Sequence, residues 1–111
     1  VVATSSFTES ADMLLSRAKL RPFVGLIVGG DQVKNAKPAP DIYLKAAASV
    51  NVPAKRCIAF EDSDVGTMAA HAAGIRVIQI PDIKKPSEEC IALGHLIFDS
   101  LDNARDMLGW R

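Results

Sequence analysis

Apolar residues along this chain fall in short runs broken by glycine, proline and polar clusters, and the runs alternate between two periodicities. Val1 to Ala3 is a short apolar run closed by Thr4, Ser5 and Ser6, after which Ala11, Leu14, Leu15 and Ala18 recur at helical spacing. A second apolar, β-branched run spans Phe23 to Val28, ends at Gly29 and Gly30, and leads through a polar loop to Lys37. Pro38 and Pro40 then open a helical pattern carried by Ile42, Leu44, Ala46, Ala47 and Ala48, which the spacing extends to about Ser49. Proline is tolerated there because the first-turn N–H has no intrahelical partner.

Cys57 to Phe60 reads as a third strand that stops at Glu61, Asp62, Ser63 and Asp64. A small-residue helix follows, holding Met68, Ala69, Ala70, Ala72 and Ala73, with Gly74 as its C-terminal cap. Ile75 to Ile80 reads as a strand, Pro86 to Leu93 as a short helix, Leu96 to Phe98 as a strand and Leu101 to Leu108 as a last helix. Such alternation predicts an α/β fold, a Rossmann-like parallel sheet with helices on both faces and strands buried on both sides.

At 111 residues and 49% hydrophobic content the chain suffices for one domain or a piece of one. Its 13 basic and 13 acidic side chains balance, which argues against a nucleic-acid or anionic-membrane surface and means that any bound anion is gripped locally. Cys57 and Cys90 lack metal or redox spacing and read as reduced thiols of a cytoplasmic protein. No apolar run reaches the ~20 residues that span a bilayer, and no targeting segment is seen. The chain opens with Val1 inside an apolar stretch, so a preceding segment is expected.

In an open parallel sheet ligands bind beyond the carboxyl ends of the strands, and three strand ends here are polar. Thr4, Ser5 and Ser6 offer hydroxyls and amides to a phosphate oxygen at a helix N-terminus, or alternatively cap that helix. Lys37, stiffened by Pro38 and Pro40, can hold an ammonium beside a reacting centre and offset a neighbouring carboxylate, where an ordinary surface lysine would swing free. Glu61 and Asp62 pair two hard oxygen ligands suited to Mg2+; the alternative has Asp62 or Ser63 capping the next helix, with Asp64 able to share that role, and Glu61 solvated. Together they supply two needs of phosphoryl transfer, an anion cradle and a metal site. His71, His95 and Trp110 read as structural or surface residues.

The segments Lys37-Pro38-Ala39-Pro40-Asp41-Ile42-Tyr43 and Phe60-Glu61-Asp62-Ser63, followed by Gly66, Ala69-Ala70 and Ala73-Gly74, resemble the haloacid dehalogenase-like hydrolases. Within that family the likeness is to the branch of β-phosphoglucomutase and related small-sugar phosphatases, over about Val1 to Asp82. The resemblance implies that Thr4 binds the transferring phosphoryl group, that Ser5 and Ser6 line the site, that Lys37 binds phosphate and balances charge, and that Asp62 with Glu61 holds Mg2+. It implies also that residues 1–111 are the C-terminal portion of a core domain. The nucleophile, an aspartate of an Asp-x-Asp motif, is then expected upstream, on a central strand lying between Val1–Ala3 and Cys57–Phe60. The cap that selects substrate is expected upstream too. Asp62-Ser63-Asp64-Val65-Gly66-Thr67 imitates the nucleophile motif, but its place after the lysine motif makes it the metal motif.

The function expected of the complete protein is Mg2+-dependent phosphoryl transfer on a small phosphorylated metabolite such as a sugar phosphate. A phosphomutase, a non-catalytic phosphate- or partner-binding α/β module and a receiver-like domain phosphorylated at Asp62 stand as alternatives.

Overall fold

Two short parallel sheets form the framework of the computed structural model, which describes residues 1–110; Arg111, the last residue of the predicted domain, lies outside the described residues. In the first sheet β1 (Val2–Ala3) pairs with β2 (Ile27–Val28), and in the second β3 (Ile58–Glu61), β4 (Arg76–Gln79) and β5 (Leu96–Ile97) pair in that order. The register sets Val2 beside Ile27, Glu61 beside Gln79 and Gln79 beside Ile97. The helices between them are α1 (Thr8–Arg17), α2 (Asp41–Ser49), α3 (Asp64–Ala72), the short α4 (Glu88–Ile91) and α5 (Leu101–Leu108).

Small side chains let α2 and α3 sit close to each other and to the strands. Ile42, Tyr43 and Ala46 of α2 meet Ala69, Ala70 and Ala73 at the end of α3, over Val28, Ala59 and Val77. The inward face of α2 departs from the expected one, because Tyr43 is buried while Leu44 is half-exposed. Burying Ile42 and Ile78, both nearly inaccessible, contributes roughly 1.5–3 kcal/mol each. Because successive strand residues point to opposite faces, Ile58 and Phe60 turn away from Ala59, and Trp110, just past α5, meets Phe60 edge-on at 5.9 Å. Helical elements thus cover both faces.

Three further expectations change. The second strand is only Ile27–Val28, because Arg21–Phe23 forms a one-turn 3-10 helix with Phe23 at the surface. Burial on both sides holds for β4, where Val77, Ile78 and Gln79 are all buried, but not for β3, whose Ile58 and Phe60 are each 40% exposed. The cause is that β3 has a partner on one edge only among the described residues. Between β3 and β1 lies an apolar cleft of about 430 Å³, lined by Val2, Ala3, Ala46, Cys57, Ile58 and Phe60 among others. Finally, α1 buries only Ala11 and leaves Leu14 exposed.

One helix end is decided by a local residue and another by a distant one. Gly74, at φ +80°, ends α3 as expected, and Gly74→Ala should lower stability by about 1 kcal/mol, read as a lower urea midpoint with unchanged slope. No hydroxyl of Thr4, Ser5 or Ser6 caps α1; the Asp31 carboxylate reaches over from the loop after β2 and accepts from Thr8 N (2.7 Å) and Thr8 Oγ1 (2.8 Å). The Thr8 backbone N–H and then its hydroxyl hold the Asp31 carboxyl below its usual 3.8. Its stabilisation is therefore full above pH 3.8 and lost as pH falls below that value. Asp31→Asn should flatten the fall in thermal midpoint as pH drops below about 4, the ordinary carboxylate pKa.

Candidate active site

Parallel strands end on the same side, so the residues after β1, β2 and β3 share one rim. Thr4, Ser5, Lys37, Glu61, Asp62 and Ser63 line a cavity of about 520 Å³ at that rim, with Phe60, Val65 and Leu101 supplying apolar wall. Ser6 is not among the lining residues: its carbonyl accepts from Gly30 N and its N–H donates to Thr4 Oγ1 at 3.1 Å. Thr4 is anchored to the neighbouring strand by its N–H on Val28 O, 3.0 Å.

Lys37 lies in the loop before α2 and follows no surface pattern. Its side chain is 10% exposed, and Nζ donates to Glu61 Oε1 at 2.7 Å and to Ala3 O at 3.2 Å. One ammonium thereby joins the end of β1, the loop after β2 and the end of β3. The Lys37–Pro38 peptide is cis, and Pro40, not Pro38, stands at the N-terminus of α2.

Glu61 is the last residue of β3, one beyond the expected strand, and its carboxylate is 8% exposed rather than solvated. Tyr43 OH donates to the same oxygen that Lys37 holds, and the Lys37 ammonium lies 5.3 Å from the Tyr43 ring centroid. Burial, followed by the Glu61 carboxylate, pushes the Tyr43 phenol well above its ordinary range, so it remains a donor. The other Glu61 oxygen abuts Gly66 in the first turns of α3, where an added Cβ would overlap the carboxylate. Glycine is required there by close approach alone. Tyr43 and Gly66 were legible only as parts of the motifs; nothing in their spacing revealed that both converge on Glu61.

The competing capping assignment resolves onto Ser63. Its Oγ accepts from Gly66 N at 3.2 Å and caps α3, which leaves Asp62 out of the cap. Asp62 is exposed at the mouth of the cavity, with no side-chain hydrogen bond among the described residues. Asp64 enters the helix and points away to Gln79 and Ser87. No group of three or more His, Cys, Asp or Glu among the described residues could hold a metal by itself. That donor set still suits Mg2+, which is usually held by one or two carboxylates together with phosphate oxygens and water. Asp62 has free oxygens for that purpose, whereas one Glu61 oxygen is engaged by Lys37 and Tyr43.

Breaking the buried pair should be costly. Lys37→Met leaves Glu61 without its cation and should destabilise the protein by about 3–5 kcal/mol, with much of the loss recovered in Lys37→Met/Glu61→Leu, as read by chemical denaturation.

The profile of the family described as haloacid dehalogenase-like hydrolase matches residues 1–80. Protein CbbY of Rhodobacter capsulatus is 39% identical over 83 residues, 72% of this chain and 37% of that protein. Fructose-1-phosphate phosphatase YqaB of Escherichia coli is 39% identical over 79 residues, 71% of this chain and 42% of that protein. A phosphorylated carbohydrates phosphatase of Thermotoga maritima is 43% identical over 77 residues, 69% of this chain and 36% of that protein. Among solved structures, CbbY from Rhodobacter sphaeroides in complex with phosphate superposes with a TM-score of 0.78 at 35% identity, over 89% of this chain and 45% of that one. The chain thus spans less than half the length of these relatives.

Proposed function

The chain belongs to the haloacid dehalogenase-like hydrolases, and we propose that the complete protein is a Mg2+-dependent phosphatase acting on a small phosphorylated metabolite such as a sugar phosphate. The observation that carries this reading is the meeting of Thr4, Lys37 and Asp62 around one cavity, from three strand ends separated by up to 58 positions in sequence. A phosphoryl group set there would find the hydroxyls of Thr4 and Ser5 and the ammonium of Lys37. Asp62, with Glu61 beside it, would hold Mg2+, whose role when bound is to neutralise charge on the phosphoryl oxygens. Two relatives that are phosphatases of phosphorylated carbohydrates by description, YqaB and the Thermotoga protein, support the substrate class.

Lys37 does its work by being fixed. Paired with Glu61 and bound to Ala3 O, the ammonium cannot relax toward solvent, so its field at the cavity is in place before substrate arrives.

The nucleophile in this proposal is an aspartate of an upstream segment. The cleft between β1 and β3 supports that placement, because two parallel strands present free edges across an apolar slot beside the cavity. An upstream strand seated in the slot would join both sheets and bring its carboxyl end to the rim with Thr4 and Asp62. Residues 1–111 then form the C-terminal portion of the core domain. No helix among the described residues is long and apolar enough to cross a membrane. Free Cys57 and Cys90 fit the reducing cytoplasm proposed as its location.

Asp62→Ala in the complete protein should abolish Mg2+-dependent hydrolysis of an aryl phosphate, while the 111-residue chain alone should be inactive. Unchanged turnover in Asp62→Ala would sink the assignment. Return of the phosphoryl group to a sugar rather than to water, seen in the products, would make the enzyme a phosphomutase instead.

A further inference from the structure

A second polar cluster lies on the far side of the Asp62 turn, in a part of the molecule that the proposed chemistry does not use. Its centre is Gln79, the last residue of β4, which is completely buried. Gln79 Nε2 donates to Asp64 Oδ1 at 3.1 Å, and Ser87 N donates to Asp64 Oδ2 at 3.0 Å. The amide oxygen of Gln79 faces His95 Nε2 at 2.7 Å and Cys90 Sγ at 3.5 Å.

The direction of every bond in this cluster follows from its one carboxylate. Asp64 only accepts, so Gln79 must present its NH2 group to it and turn its oxygen the other way. Cys90 and His95 must then both donate. Burial pushes the Cys90 thiol up to about 11, which keeps its proton on sulfur. Burial likewise lowers the pKa of His95, so the neutral ring carries its proton on Nε2 and leaves Nδ1 bare. His95 Nδ1 is indeed buried without a hydrogen-bond partner.

Gln79 also stands beside Glu61 in the β3–β4 register, and the next residue, Ile80, donates its N–H to Glu61 O at 2.7 Å. The turn Glu61–Asp64 is therefore held at both ends. At its start, Glu61 is fixed by Lys37, Tyr43 and the β4 ladder; at its end, Asp64 is fixed by Gln79 and Ser87. Only Asp62 and Ser63 lie between, and Ser63 is spent on capping α3.

We propose that Gln79 is a positioning residue for Asp62, locking the far end of its turn through the Asp64–Gln79–His95 chain so that the exposed carboxylate meets a divalent cation preorganised. This rests on the reading of Asp62 as a metal ligand. Outer partners that orient a ligand typically affect metal affinity by about 10–100-fold, and here the orientation passes through two backbone steps rather than a direct contact with Asp62.

The test is Mn2+ binding by electron paramagnetic resonance to the complete protein without substrate, together with Mg2+ activation of aryl-phosphate hydrolysis. Gln79→Leu should weaken Mn2+ binding about 10-fold and raise the half-activating Mg2+ concentration in parallel, at the low end of the range for outer partners. KM for the aryl phosphate at saturating Mg2+ should move by less than about twofold, since the Thr4 and Lys37 side of the cavity is untouched. Nitrogen NMR shifts should report the Nε2–H tautomer of His95 in the wild type and a mixed population in Gln79→Leu. Should Gln79→Leu fold poorly, Asp64→Ala, at a half-exposed position, should give the same loss of Mn2+ affinity with KM preserved. The two losses should not add in the double variant where it folds. Variant Mn2+ affinity within about twofold of wild type, a smaller change than outer partners produce, would overturn the positioning role while leaving the function standing. Wild-type protein that binds no Mn2+ would instead overturn the metal assignment on which it rests.

Discussion

One buried ammonium ties this structure together. Lys37 Nζ contacts Glu61 and the carbonyl of Ala3, and so joins the ends of β1 and β3, which belong to two separate sheets, to the loop after β2. Such a pair is a poor device for stability alone, because desolvating two charges offsets much of their attraction. Its value here is geometric. With Tyr43 OH on the same carboxylate oxygen and Gly66 backbone against the other, Glu61 has nowhere else to go, and the turn that follows it starts from a fixed point.

The rest of the architecture makes that pair possible. α2 lies across the boundary between the sheets and packs on β1, β2 and α3, and the alanines of α2 and α3 allow the approach that brings Tyr43 down to Glu61. The same boundary leaves a slot between β1 and β3 where apolar side chains and unpaired backbone face each other. Unpaired strand edges invite pairing, and here the slot opens next to the cavity that Thr4, Lys37 and Asp62 share. Fold and site are in this sense one problem, since the unpaired edges of β1 and β3 border the same cavity.

Division of labour among adjacent polar residues is the other lesson. Glu61, Asp62, Ser63 and Asp64 look interchangeable as a run of acidic and capping residues, yet each has a different task. Glu61 pairs with Lys37, Ser63 caps α3, Asp64 is held by Gln79 and Ser87, and Asp62 alone faces the cavity uncommitted. Three neighbours are used to leave one carboxylate free in a defined place.

The order of strands and helices was legible from periodicity, because a buried strand and an amphipathic helix must repeat at different intervals. The end of α2, the extent of α5, the cap at Gly74 and the meeting of Thr4, Lys37 and Asp62 at one rim all follow from local pattern and parallel topology. What local pattern could not decide was anything set by a distant partner. Phe23 reads as strand but lies in a 3-10 turn; Leu44 reads as core but yields to Tyr43, which has a carboxylate to meet; and α1 is capped by Asp31 from 23 positions away rather than by the serines beside it. The tasks of Tyr43, Gly66 and Gln79 arise the same way, from contacts that exist only once β3, α2, α3 and β4 are assembled. Sequence by itself determined which residues are chemically able to serve; tertiary packing decided which of them are held, which are hidden and which one is left free.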